Sequence, residues 1–156
     1  MDDDARVRPI SLLLILAVAG CTPGAQAAGA GSAGATAITI DVSLTSSSVT
    51  SSAYGSAAGY RPAVTSVPLN ASVRFVNTDS FPHTATSVAG AAFPADPGFG
   101  AGALNVAGDR LSSGWSTGTL GAGNVSPPLL ADRLGTYLFG CFFHYGAPMR
   151  AAIVVR

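Results

Sequence analysis

Nineteen glycines and ten prolines, set among many Ser, Thr, Ala and Val residues, bear hardest on what this chain can become. Glycine and proline disfavour long helices, while Val and Thr fit a pleated surface, so short strands joined by turns suit the chain best. The expected class is all-β. At 156 residues the length fits a single domain, and 48% apolar side chains are ample for one core. Charged residues make up only 10%, all Arg or Asp, and cancel to a formal charge of zero. That balance leaves no electrostatic footprint for nucleic acid.

The first 20 residues read as an export signal of the lipoprotein type. Arg6 and Arg8 give a positive flank, and residues 10–19 form an almost unbroken apolar run, too short to span a bilayer as a mature helix. Asp2, Asp3 and Asp4 are unusual in such a flank. Val18-Ala19-Gly20-Cys21 resembles a bacterial lipobox, in which Cys21 would be lipidated and become the new N-terminus. The expectation is a protein of the periplasm or cell envelope, attached to a membrane through Cys21. Residues 21–36, rich in Gly and Ala, read as a flexible tether. Gly29, Gly31 and Gly34 match a dinucleotide-binding fingerprint in form only, because no strand precedes them and a strand follows.

The folded domain is expected over 37–156. Ile38, Ile40, Val42 and Leu44 alternate with Thr39, Asp41 and Ser43, the pattern of a strand with one buried face. Residues 45–59 read as a loop, 61–67 as a strand broken by Pro62, and 72–77 as a strand with Val73 and Phe75 on one face. A turn at 77–80 leads to His83. The stretch 90–114, with Pro94, Pro97 and six glycines, is a long irregular loop of the kind that usually carries a function or is mobile. Trp115 opens another strand, and Pro127 and Pro128 argue against a regular one around them. Tyr137, Phe139 and Cys141 share one face of a further strand, and 151–155 closes the chain. About seven to eight short strands at this spacing predict a sandwich or barrel.

Both histidines, and the only cysteine beyond residue 21, fit one metal site. Cys141-x2-His144-x4-Met149 places a thiol, an imidazole and a thioether on one loop between two strands, and His83 adds a second imidazole from upstream. A His2Cys set with a weak axial Met is the ligand set of a blue-copper electron-transfer centre. Zinc binds Cys and His as well, but a thioether is a poor fourth ligand for a structural zinc. A Cys-His nucleophile would need an orienting group, for which only Asn77 or Asp79 lies near, and would leave Met149 without a role. No enzyme is expected.

The segments VRFVNTDSFPHTATS, STGTLGAG and GTYLFGCFFHYGAPMRAAIVV together resemble the cupredoxins, in particular the plastocyanin and pseudoazurin type. The resemblance covers roughly residues 60–156. It implies a Greek-key β-sandwich of two sheets and one type 1 copper held by His83, Cys141, His144 and Met149. It also implies single-electron transfer by a monomer between larger redox partners. These would dock at an apolar patch around the edge of His144, formed by Phe142, Tyr145, Ala147 and Pro148. Storage or delivery of copper without electron shuttling would use the same four side chains and is the alternative. The sequence departs from the family pattern at Thr84, where Asn is frequent, and at Phe143, where Pro is frequent. Arg150 directly follows Met149, and Ala151 stands where a glycine is usual.

Overall fold

The structure is a computed structural model that describes residues 36–156; the expected signal, Cys21 and all but the last residue of the tether lie outside the described residues. β1 (Ala37–Val42) follows the expected alternation, with Ile40 and Val42 buried and Thr39 facing solvent. Residues 45–59 are not all loop. They contain a hairpin of β2 (Thr50–Ser52) and β3 (Gly55–Ala57). Pro62 divides the next apolar run into β4 (Tyr60–Arg61) and β5 (Val64–Val67), and the two pieces join different sheets. A proline cannot donate to the ladder, so it is a natural place for the chain to leave one sheet for the other.

β6 (Ser72–Asn77) buries Val73 and Phe75 as expected and exposes Arg74. β7 (Thr86–Val88) follows His83. Within 90–114 the chain forms 3-10 turns at Ala101–Leu104 and Leu111–Ser113 and the short β8 (Val106–Ala107). β9 (Ser116–Thr117) is shorter than the expected strand, and β10 (Leu129–Leu130) begins only after the two prolines. β11 (Gly135–Gly140) and β12 (Arg150–Val155) flank the ligand loop and pair antiparallel along their whole length.

The strands form two sheets, in the orders β10-β6-β1-β4 and β5-β12-β11-β7-β9-β8. β1 with β6 and β5 with β12 are parallel pairs, and the remaining neighbours are antiparallel. This is the expected all-β sandwich, but cut, among the described residues, into twelve strands where seven to eight are expected. The excess comes from two-residue pieces, β4, β8, β9 and β10, and from the separate β2–β3 hairpin.

Between the sheets, Ile40, Val42, Val73 and Phe75 from one side meet Phe139, Ala151, Ile153 and Val155 from the other. Tyr60, Phe75, Trp115 and Phe139 form an aromatic cluster at its centre, with ring centroids 4.8–6.3 Å apart in the contacting pairs. Burying each such ring contributes roughly 1.5–3 kcal/mol. Cys141 and Met149 belong to the same cluster, so these two candidate ligands are part of the core and not on a loop apart from it. The outer face of the second sheet is also covered: Val88, Leu138, Tyr145 and Ala152 pack beneath Tyr54, Phe93 and Phe99. The long irregular stretch supplies Phe93 and Phe99. Part of it is therefore a lid on that sheet.

Candidate metal centre

His83 is placed by the turn that ends β6. Asn77, fully buried, accepts the N–H of Asp79 (3.0 Å) and donates from Nδ2 to the carbonyls of Phe81 (2.9 Å) and Leu120 (2.8 Å). The backbone of His83 then pairs with Leu120 in both directions, at 3.1 and 2.7 Å. An Asn followed by Thr-Asp-Ser is a turn signal in sequence, and Asn77 satisfies buried backbone groups as such residues do.

The second ligand segment is closed on itself. The N–H of Cys141 donates to the carbonyl of Met149 (3.0 Å), and the N–H groups of Ala147 and Met149 both donate to the carbonyl of His144 (2.9 and 3.1 Å). Thr84 ties the two segments together. Its N–H points to Cys141 Sγ at 3.4 Å, and its hydroxyl accepts the N–H of Phe142 at 2.9 Å. The side-chain tie at this position is made by a hydroxyl.

His83, Cys141 and His144 converge. Nδ1 of His83 lies 3.7 Å from Cys141 Sγ, Nδ1 of His144 lies 3.6 Å from it, and the two Nδ1 atoms are 3.2 Å apart. One ligand atom from each residue fits within 4.8 Å of the others, which is the spacing of donors around a single ion. His83 and Cys141 have no exposed surface, while His144 is half-buried and reaches the exterior. Met149 is fully buried at the end of the same loop, packed against Gly59, whose missing side chain leaves the thioether its space. A soft thiolate and two imidazoles, with a thioether on the same loop, make a donor set that fits copper.

The surroundings set the protonation of these groups in the metal-free chain. Burial pushes the Cys141 thiol up, and the backbone N–H groups of Thr84, Phe143 and His144, with the Thr84 hydroxyl, work the other way. Of these N–H groups, that of Thr84 makes a hydrogen bond to the sulfur, while Phe143, which unlike proline has an N–H, contributes to the lowering. Burial, and then the charge of His83, hold the His144 imidazole below its ordinary value, with Asp79 opposing. Burial alone would push the Asp79 carboxyl up. Hydrogen bonds from Thr45, His83, Ser43 and the Leu44 N–H outweigh it and hold this carboxyl well below the usual carboxylate range.

Asp79 accepts from His83 Nε2 at 2.8 Å. A Cys-His-Asp sequence of contacts is therefore present, yet Cys141 has no exposed surface and its thiol is pushed up, the reverse of an activated nucleophile.

Spacing does not reveal two neighbours of the site. The Phe81 ring sits 4.8 Å from that of His83 and 5.6 Å from that of His144, and so flanks both imidazoles. Tyr145 is not on the outer patch: it is 5% exposed, donates its hydroxyl to the Pro94 carbonyl (3.1 Å), and packs against Phe99. The Arg150 guanidinium lies 5.2 Å from the Phe93 ring and 5.1 Å from the Tyr145 ring. Phe143, 44% exposed, takes the outward place instead.

No family model matches the chain, and no curated protein does. Among solved structures it is similar to a purple cupredoxin from Nitrosopumilus maritimus, with 17% identity over 76% of this chain and 99% of that one, TM-score 0.48. It is likewise similar to amicyanin. A Cu(I) form of a methionine-to-alanine variant gives 17% identity over 77% of this chain and 82% of that one, TM-score 0.48. A reduced Cu(I) form at pH 4 of a proline-to-glycine variant gives 18% identity, the same coverage and a TM-score of 0.49. The neighbours are cupredoxins. At such values the chemistry of the site is judged from its own donors.

Proposed function

We propose that this chain is a blue-copper protein of the cupredoxin type that carries single electrons between redox partners in the cell envelope. The observation that carries this reading is the convergence of His83 Nδ1, Cys141 Sγ and His144 Nδ1 at the closed end of the core. His83, Cys141 and His144 would hold the metal, with the Met149 thioether as a weaker fourth donor. Copper, when bound, supplies a Cu(II)/Cu(I) couple. The chain supplies what keeps that couple usable. Two ligands are immobilised by backbone pairing, Thr84 locks the two ligand segments together, and Cys141 is closed to solvent and to outside thiols.

His144 is the half-buried member of the set, and Phe142, Phe143, Ala147 and Pro148 surround its place on the loop. That apolar edge is the proposed contact for redox partners, with the protein acting as a monomer and not as an enzyme. With no net charge behind it, docking there should show a weak dependence on salt. Residues 1–20 are the proposed lipoprotein signal and 21–36 the tether. Cys21 is the proposed lipid attachment, which would keep the domain 37–156 near a membrane.

The test is optical. The full chain, stripped of metal and given Cu(II), should develop an intense visible thiolate-to-copper band that bleaches with a reductant and returns on reoxidation. Cys141→Ser should abolish the band, and Cys21→Ser should change only membrane attachment. An absent band refutes the site, and loss of copper at each redox cycle favours delivery over electron transfer.

A further inference from the structure

Asp79 is buried where an isolated charge would be strongly disfavoured, and five neighbouring donors meet it. Its Oδ2 accepts the N–H of Leu44 (2.6 Å), His83 Nε2 (2.8 Å) and the N–H of Thr45 (3.4 Å). Its Oδ1 accepts the Ser43 hydroxyl (2.8 Å) and the Thr45 hydroxyl. A carboxylate so surrounded only accepts, so the proton between it and His83 belongs to Nε2. A neutral imidazole with its proton on Nε2 carries its lone pair on Nδ1. That is the atom facing Cys141 Sγ and His144 Nδ1.

We propose that Asp79 is a positioning residue of the metal centre: its carboxylate fixes the tautomer and ring orientation of His83, and its negative charge favours Cu(II) over Cu(I) at the site. The charge effect rests on the blue-copper reading. The tautomer does not, because it is a property of the metal-free chain. Outer partners of this kind orient a metal-binding His and raise its basicity. Here the partner also anchors the chain just past β1, so the imidazole is referred to the body of the sandwich through Ser43, Leu44 and Thr45.

Two variants separate the effects. In Asp79→Asn the amide oxygen can take the place of Oδ2 and keep the three N–H donors, while the amide nitrogen donates to the two hydroxyls, which can turn to accept. Only the charge is lost. Asp79→Ala loses both charge and hydrogen bonds. The experiment uses the full chain, with nitrogen-15 NMR of the metal-free form to find the histidine protons, and Cu(II) and Cu(I) affinities measured by competing chelators.

The wild-type should carry the His83 proton on Nε2. Asp79→Asn should keep that proton and the visible band but lower the ratio of Cu(II) to Cu(I) affinity. Asp79→Ala should lose the fixed tautomer and roughly 10–100-fold in Cu(II) affinity, the span typical of lost outer contacts. A His83 proton on Nδ1 in the wild-type overturns the proposal. So does an affinity ratio unchanged in Asp79→Asn and in a folded Asp79→Ala. If Asp79→Ala fails to fold, the wild-type tautomer and the Asp79→Asn ratio decide. A wild-type chain with the Nε2 proton that takes up no copper refutes the blue-copper reading and the charge effect, while upholding the positioning of His83.

Discussion

Replacing Gly59 by Ala tests whether the Met149 thioether belongs to the centre. Gly59 has φ of +77°, and a Cβ built there would lie 2.4 Å from Met149 Cγ, 3.1 Å from Cε and 3.2 Å from Sδ. Carbon contacts are comfortable only near 3.5–4.0 Å, so Met149 would have to retreat by about 1 Å or more. The left-handed backbone costs an alanine about 1–2 kcal/mol. Overpacking of a filled core adds about 1–3 kcal/mol. The sum, about 2–5 kcal/mol, is within reach of a domain whose total stability is about 5–15 kcal/mol, so the variant should still fold. Chemical denaturation of the metal-free chain should show the lost stability. If Met149 is a ligand, the Cu(II) spectrum should change as well, since its thioether is displaced. Gly108→Ala is the control. Its φ is +67° and its Cβ would meet the Gly114 carbonyl at 2.6 Å and Trp115 Cβ at 3.1 Å, touching none of the four ligands. It should lose comparable stability and keep the native spectrum. A Gly59→Ala chain that loses stability yet keeps the native spectrum and potential would show that Met149 is not a ligand.

Phe143→Pro removes a backbone N–H that favours the Cys141 thiolate, so more charge should stay on the sulfur to stabilise Cu(II). The reduction potential measured by voltammetry should fall, and an unchanged or higher value would count against the role of that N–H. Thr84→Val keeps the shape but leaves the Phe142 N–H without its acceptor, so urea unfolding of the metal-free chain should report a loss of about 1–3 kcal/mol. Acid should act through Asp79, whose folded-state pKa lies below its ordinary value. The stabilisation it gives is complete above the ordinary carboxyl range and is lost as pH falls through the folded-state value. The stability difference between wild-type and Asp79→Asn, followed by denaturation against pH, should be flat near neutrality and shrink in acid, and a difference that grows in acid would refute the assignment.

The ligand types are legible in the sequence because they are scarce: with two histidines and one cysteine beyond residue 21, few combinations can gather at one point. The loop carrying Cys141, His144 and Met149 is short, so spacing alone describes it. The alternation in β1 and β6 and the break at Pro62 are equally local, and the structure agrees with each. What spacing cannot show is how the ligands are held. Asp79 reads as a turn residue, and it does sit in a turn, but its carboxylate turns back to Ser43, Leu44 and Thr45 and forward to His83. Tyr145 reads as part of an outer patch because its neighbours are apolar, yet Pro94 and Phe99, some fifty residues upstream, draw it inward. Arg150 reads only as a departure directly after Met149, and the structure sets it over Phe93 and Tyr145 and bonds it to the Ser56 carbonyl. Identity of the ligands is thus local information, and their positioning is not. Besides Thr84 and the loop's own backbone bonds, contacts on Tyr145 and Arg150 come from the stretch least regular in sequence, 90–114. A change there that loosened Phe93 or Phe99 should reach the candidate centre through Tyr145 and Arg150, the residues that directly follow His144 and Met149.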